Sequence, residues 1–130
     1  MRLVAVCKVL DEADIIEAFA RHTACYAAHQ LFLDNGSIDG TAEILCKLRS
    51  EGLNLTVMQN GSRLFNEAAY NTQLLHQAIS ERGADWVAFL DADEFIDDRS
   101  TPLVDLLGNV SPLVLCAHVM LTQLPCNMRR

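Results

Sequence analysis

The sequence predicts an α/β domain built on a largely parallel sheet, and three observations predict it. Short apolar runs rich in Val and Leu alternate with stretches of helical period, four times in succession. The runs lack the apolar–polar alternation of a half-exposed strand, so they read as strands covered on both faces. Polar residues collect directly after each run: Asp11 and Glu12, then Asp34 and Asn35, then Asn60, then Asp91 and Asp93. In open parallel sheets ligands bind outside the carboxyl ends of the strands, which is where these residues would fall.

Leu3 to Val9 is the first strand. From Glu12 to Ala27 the period changes, and Ile15, Ile16, Phe19, Thr23 and Tyr26 share one helical face, with Asp11 or Asp14 available as cap. Gln30 to Leu33 is a second strand ending at Asp34. The Asn35-Gly36 turn leads to a helix capped by Ser37 or Asp39, with Ile44, Leu45 and Leu48 facing inward. Leu53 to Met58 is a third strand. From Leu64 to Arg82 a helix presents Phe65, Ala68, Thr72, Leu75 and Ile79, and Gly83 supplies its left-handed stop. Ala84 to Leu90 is a fourth strand, Pro102 to Leu107 a short helix, and Leu113 to Leu121 a fifth strand.

At 130 residues the chain suits one compact domain, and 51% apolar with 21% charged residues is ordinary for a globular protein. No apolar run reaches the roughly 18–20 residues needed to span a bilayer. Lys8, Asp11, Glu12 and Asp14 interrupt the apolar start, so it reads as a strand rather than a signal peptide. The expected location is cytoplasmic, or peripheral at the inner face of a membrane. A net charge of −7 argues against a nucleic-acid partner, since such proteins neutralise phosphates with Lys and Arg. An acidic protein binds an anionic ligand when a divalent cation sits between carboxylate and phosphate. Five cysteines without a C-x-x-C pair read as free thiols; Cys7, Cys25, Cys46 and Cys116 lie in apolar stretches and read as small core residues, while Cys126 is uninformative.

The chemistry concentrates in three segments. In an extended chain the side chains of Asp91 and Asp93 point to one side, and two such carboxylates repel unless a cation joins them. Mg2+ or Mn2+ takes one or two carboxylates and fills its sphere with water and phosphate oxygens. The apolar approach Trp86 to Leu90 sets this pair at the rim of a sheet; Glu94 is a further ligand or a helix-capping neighbour. In the 34–41 turn, Asp34 suits the hydroxyls or base N–H of a nucleoside, while Ser37, Asp39 and Thr41 suit a helix cap. Asp11 and Glu12 serve equally as cap or nucleoside contact. Arg63 reads as a solvated residue, with a phosphate contact as its alternative. His22, His29, His76 and His118 share no metal-ligand spacing and read as surface or core histidines. G-x-S-x-G, P-loop and G-x-G-x-x-G patterns are absent.

Together these segments resemble the family 2 glycosyltransferases of GT-A fold. The likeness is to the branch that combines N-E-A-D-I-I after a strand, a D-N-G-S-x-D-G-T turn and a D-W-x-x-x-x-D-x-D-E-F segment. Here stand Asp11-Glu12-Ala13-Asp14-Ile15-Ile16, the complete 34–41 turn, and Asp85-Trp86 through Asp91-Ala92-Asp93-Glu94-Phe95, so the likeness covers about residues 3 to 97. Asp11 stands where the family usually has Asn.

The resemblance implies a Rossmann-like, three-layer nucleotide-binding half, a nucleotide-diphosphate-sugar donor (commonly a UDP-sugar), and Mg2+ or Mn2+. It implies that Lys8, Asp11, Glu12, Asp34 and Asn35 face the nucleoside. Asp91 would approach the ribose or metal, and Asp93 would hold the metal bridging the diphosphate. A glycan or other hydroxyl acceptor would attack with inversion. The family's acceptor half and catalytic base lie beyond the D-x-D segment, so the expectation is one nucleotide-sugar-binding domain over 1–130, cut before the acceptor half. Completion by a homo-oligomer or a missing C-terminal half is part of that expectation. A non-catalytic donor-binding remnant and, more remotely, a phosphorelay receiver domain are the alternatives.

Overall fold

The computed structural model describes residues 2–60, 67–97, 99 and 101–109. Met1–Phe95 form one compact unit and a second begins at Ile96. The first contains β1 (Leu3–Val9), α1 (Ile16–Thr23), β2 (His29–Asp34), α2 (Thr41–Ser50), β3 (Leu55–Gln59), α3 (Glu67–Ser80) and β4 (Trp86–Phe89). In the second, α4 (Leu103–Gly108) buries Leu103 and Leu107. The expected fifth strand, with Arg63, Phe65, Cys116, His118 and Cys126, lies outside the described residues.

The four strands form one parallel sheet in the order β3-β2-β1-β4. This is the start of the doubly wound order 3-2-1-4, in which the strand order reverses between β1 and β4. A receiver domain would instead place β3 next to β1, so the topology separates the two readings. β1 lies between β2 and β4, with Val6 opposite Leu31 on one side and Phe89 on the other.

Alternation along the strands sends side chains to two layers. Val4, Val6, Leu31 and Leu33 meet Leu74 and Ala78 of α3 on one face. On the other, Phe32 stacks edge-on against Phe19 of α1 at 6.2 Å, and the Gln30 side chain donates to the Ala20 carbonyl. α1 and α2 share that second face. Burying near-continuous apolar strands on both sides is what a parallel sheet requires. β4, last in the order of the described strands, is covered less completely than expected, with Phe89 exposed.

Two helix starts differ from expectation. Neither α1 nor α2 has a side-chain cap; their N-cap residues are Ile15 and Gly40. The Glu12 carbonyl accepts from the amides of Ile15 and Ile16 and so begins α1, while Asp11 is engaged elsewhere. Gly40 has φ 97, a left-handed conformation that favours glycine. Gly83 does end α3 as read: at φ 65 its amide reaches the Ile79 carbonyl, and that of Ala84 reaches Ala78.

The inward face of α3 is not the expected one. Leu74 and Ala78 are buried, whereas Ala68, Thr72, Leu75 and Ile79 are exposed. Both stripes are apolar, so period alone does not choose between them, and small Ala78 lets the helix lie close on Val4 and Val6. Cys25 and Cys46 are likewise exposed and only Cys7 is buried, all three being free. Cys46 has apolar chain neighbours but occupies the outward side of α2, because adjacent helical residues point in different directions.

At the opposite end of the sheet from the polar loops, the His29 ring lies 2.9 Å from the Thr56 hydroxyl, to which Arg82 also donates. Burial, followed by the charges of Arg82 and Arg2, pushes the His29 imidazole below its ordinary value of 6.5. The unfolded chain therefore takes up this proton first as pH falls, and stability drops through the region just below 6.5. His29→Gln should flatten the fall in melting temperature between pH 7.5 and 5.5. Leu74→Ala should cost about 2–5 kcal/mol in urea unfolding, whereas Leu75→Ala should cost less than about 1 kcal/mol.

Candidate active site at the carboxyl rim

Beyond Val9 the chain turns sharply, and Asp11 adopts φ 52, a left-handed conformation that Asp tolerates better than most residues. Its carboxylate accepts the Ile38 amide at 2.8 Å and its own amide donates to Ser37 Oγ at 2.9 Å. The Glu12 amide donates to Thr41 Oγ1 at 2.9 Å, and the Ala13 amide to Asp39 Oδ2 at 3.0 Å. The residues expected to cap α2 therefore join the loop after β2 to the loop after β1. Asp39 also accepts from the Thr41 hydroxyl and amide, and these bonds, with that from Ala13, hold its carboxyl below the usual range.

Asp34 is 1% exposed beneath its own turn. Its Oδ1 accepts the amides of Gly36 and Ser37 at 3.1 and 2.8 Å, and Oδ2 lies 3.4 Å from Gln59 Nε2. The structure thus gives Asp34 a loop-forming duty. Asn35 accepts from the Asn60 side chain, which accepts from the Tyr70 hydroxyl, linking the β2 and β3 loops to α3.

After β4 the pleat ends sooner than expected. Asp91 to Glu94 form a turn closed by the Glu94 amide on the Asp91 carbonyl at 2.9 Å, with the Asp91 amide donating to Glu94 Oε2 at 3.0 Å. The extended geometry expected to align Asp91 with Asp93 is thus replaced by a turn. Ala92 is buried beneath it and both aspartates are exposed. The Glu94 carboxylate braces this turn, a role neither of its two expectations described.

The acids nevertheless share one electrostatic environment. Burial, then the charges of Asp14, Asp93, Asp39 and Asp91, push the Glu12 carboxyl above its ordinary range. The buried Cys7 thiol is pushed up by burial and then by Asp91, Glu12, Glu94 and Asp93. Loops from β1 and β4 therefore crowd negative charge into the same place. Among the described residues, no group of three or more His, Cys, Asp or Glu side chains is arranged to hold an ion by itself. Mg2+ and Mn2+ commonly need only one or two carboxylates when phosphate oxygens complete the sphere. The crowded acids suit such a cation, whose charge would relieve their repulsion.

Beside the Asp91 turn is a cleft of about 160 Å³, walled by Val6, Leu74, Phe89 and Leu90 and edged by Lys8, Asn71, Asp91 and Glu94. It opens between β1 and β4, where the strand order reverses and ligands of such sheets bind. Asn71 was not among the residues singled out from sequence. Among the described residues its buried Oδ1 has no hydrogen-bond partner, and it stands one turn before Leu74 on the inward stripe of α3. Of the expected residues, Lys8 and Asp91 line the cleft, Glu12 and Asp93 share its electrostatics, and Asp11, Asp34 and Asn35 build the adjoining loops. His22 meets Tyr26 edge-on and Phe95 at a tilt, and His76 is exposed.

The parallel α/β sheet with its helices on both faces is similar to the GT-A fold. The same fold occurs in a mannosyltransferase from Pyrobaculum calidifontis, solved in complex with GDP-Man and Mn2+. The similarity has TM-score 0.57 at 23% identity, over 73% of this chain and 28% of that one. The family model "Glycosyl transferase family 2" matches residues 13–124, and the chain belongs to that family. Among curated proteins none matches the sequence. No helix among the described residues is long and apolar enough to cross a membrane.

Asp34→Ala leaves the Gly36 and Ser37 amides without their acceptor. It should cost about 1–3 kcal/mol in ligand-free thermal or urea unfolding, a loss that a residue serving ligand contact alone would not produce.

Proposed function

We propose that this chain is the donor-binding part of a metal-dependent glycosyltransferase, which takes a nucleotide-diphosphate sugar and delivers its sugar, with inversion, to an acceptor hydroxyl. The observation that carries the reading is the convergence of Glu12, Asp91, Asp93 and Glu94 beside the β1–β4 reversal point. Carboxylates brought to one place are suited to an anionic ligand only through a cation. Family membership and the fold shared with a GDP-Man- and Mn2+-bound protein support it further.

In this reading Asp93, with Asp91, holds Mg2+ or Mn2+. When bound, the cation supplies Lewis-acid neutralisation of the departing diphosphate. Lys8, at the cleft, offers a positive charge to the donor. Glu12 and Asp11 offer acceptors to nucleoside hydroxyls or base N–H groups, and Asp34 and Asn35 keep the adjoining loop in place. The apolar walls exclude water on one side, and the base that activates the acceptor comes from outside the residues named here. A UDP-sugar is the expected donor, with a GDP-sugar the direct comparison.

Calorimetry with UDP- and GDP-sugars, with and without Mn2+, tests the proposal. Asp93→Ala should abolish metal-dependent nucleotide binding while leaving the circular dichroism spectrum and melting temperature close to wild type. Equal affinity in wild type and Asp93→Ala would overturn the assignment. A parallel transfer assay separates a catalytic chain from a donor-binding module without turnover.

A further inference from the structure

Ser37, Asp39 and Thr41 read from sequence as a helix cap, yet no side chain caps α2. Asp39 Oδ1 stays local, on the Thr41 amide and hydroxyl, while the remaining oxygens reach across the rim. Three successive amides of the β1–α1 loop, those of Asp11, Glu12 and Ala13, each find a different acceptor in the loop after β2: Ser37 Oγ, Thr41 Oγ1 and Asp39 Oδ2. The Asp11 carboxylate returns a fourth bond by accepting the Ile38 amide.

Thr41 is the centre of this lacing. It is fully buried, and its single hydroxyl hydrogen goes to Asp39 Oδ1 at 2.6 Å. The hydroxyl is thereby oriented to offer a lone pair to the Glu12 amide. Glu12 is also where α1 begins, since its carbonyl receives the first two amides of that helix. The first side chain of α2 thus fixes the backbone that carries a rim carboxylate. The loop after β2 is itself anchored from below, where Asp34 holds the Ser37 amide.

We propose that Thr41, oriented by Asp39 and seconded by Ser37, is a positioning residue for the donor site, setting where Glu12 and Asp11 stand at the rim without touching the ligand. The inference rests on the reading of this rim as the nucleotide-sugar site. Thr41→Val keeps the shape and removes the acceptor; Thr41→Ser keeps the acceptor and removes only a methyl group.

The test measures Mn2+-dependent UDP- and GDP-sugar affinity together with hydrogen exchange at the Glu12 amide. In Thr41→Val the amide should lose protection and affinity should fall about tenfold, the order expected when one hydrogen bond is lost. Thr41→Ser should restore both. Ser37→Ala, at a less buried position, should expose the Asp11 amide and weaken binding less, and it serves if Thr41→Val does not fold. Wild-type affinity in a folded variant whose Glu12 or Asp11 amide has lost protection would overturn the positioning role while leaving the donor site standing. A wild-type chain that binds neither nucleotide sugar with Mn2+ would remove both proposals together.

Discussion

β1 is the strand on which the remainder of the molecule is arranged. It pairs in parallel with β2 along its length and with β4 along its first half, and all but Lys8 of its residues are buried. Because both neighbours run in its direction, three carboxyl ends open on the same rim. Because one neighbour follows it in the chain and the other arrives after two further crossovers, the strand order reverses between β1 and β4, and a cleft lies there against α3. Remove that pairing and the acids of residues 11–12 and 91–94 have no reason to be near one another.

Placing them together works against stability. Negative charges gathered at one rim repel, and the elevated carboxyl of Glu12 and thiol of Cys7 record that repulsion alongside burial. The chain holds the arrangement with neutral and charge-assisted hydrogen bonds: Glu94 to the Asp91 amide, Asp34 under its turn, and the Ser37–Asp39–Thr41 lacing. Each binds backbone amides. Such strain is commonly concentrated where a ligand will discharge it. The proposed donor site therefore draws on both layers, the β1 and β2 loops on the α1–α2 side and the Lys8–Asn71 cleft on the α3 side.

Chain neighbours alone do not settle the inward face of α3, the exposure of Cys25 and Cys46, or the starts of α1 and α2. Period can propose two apolar stripes on one helix, but packing on Val4, Val6, Leu31 and Leu33 selects the stripe led by Leu74 and Ala78. A Ser, Asp or Thr near a helix start is a good cap until a second loop with unpaired amides arrives. The Asp91–Asp93 pleat failed similarly: a local turn closed by Glu94 took precedence over continued extension.

What the sequence determined by itself was the order and type of elements, the parallel sheet, and the motifs at strand ends that carry the family resemblance, since these depend on local period, turn chemistry and burial on both faces. Only the tertiary structure decided that β4 lies beside β1, that Asn71 and Lys8 share a cleft with Asp91, and that Thr41 holds Glu12. Those relations join residues tens of positions apart. No local pattern encodes them, because the contacts come into being only when the strands pair and bring their loops to a common edge.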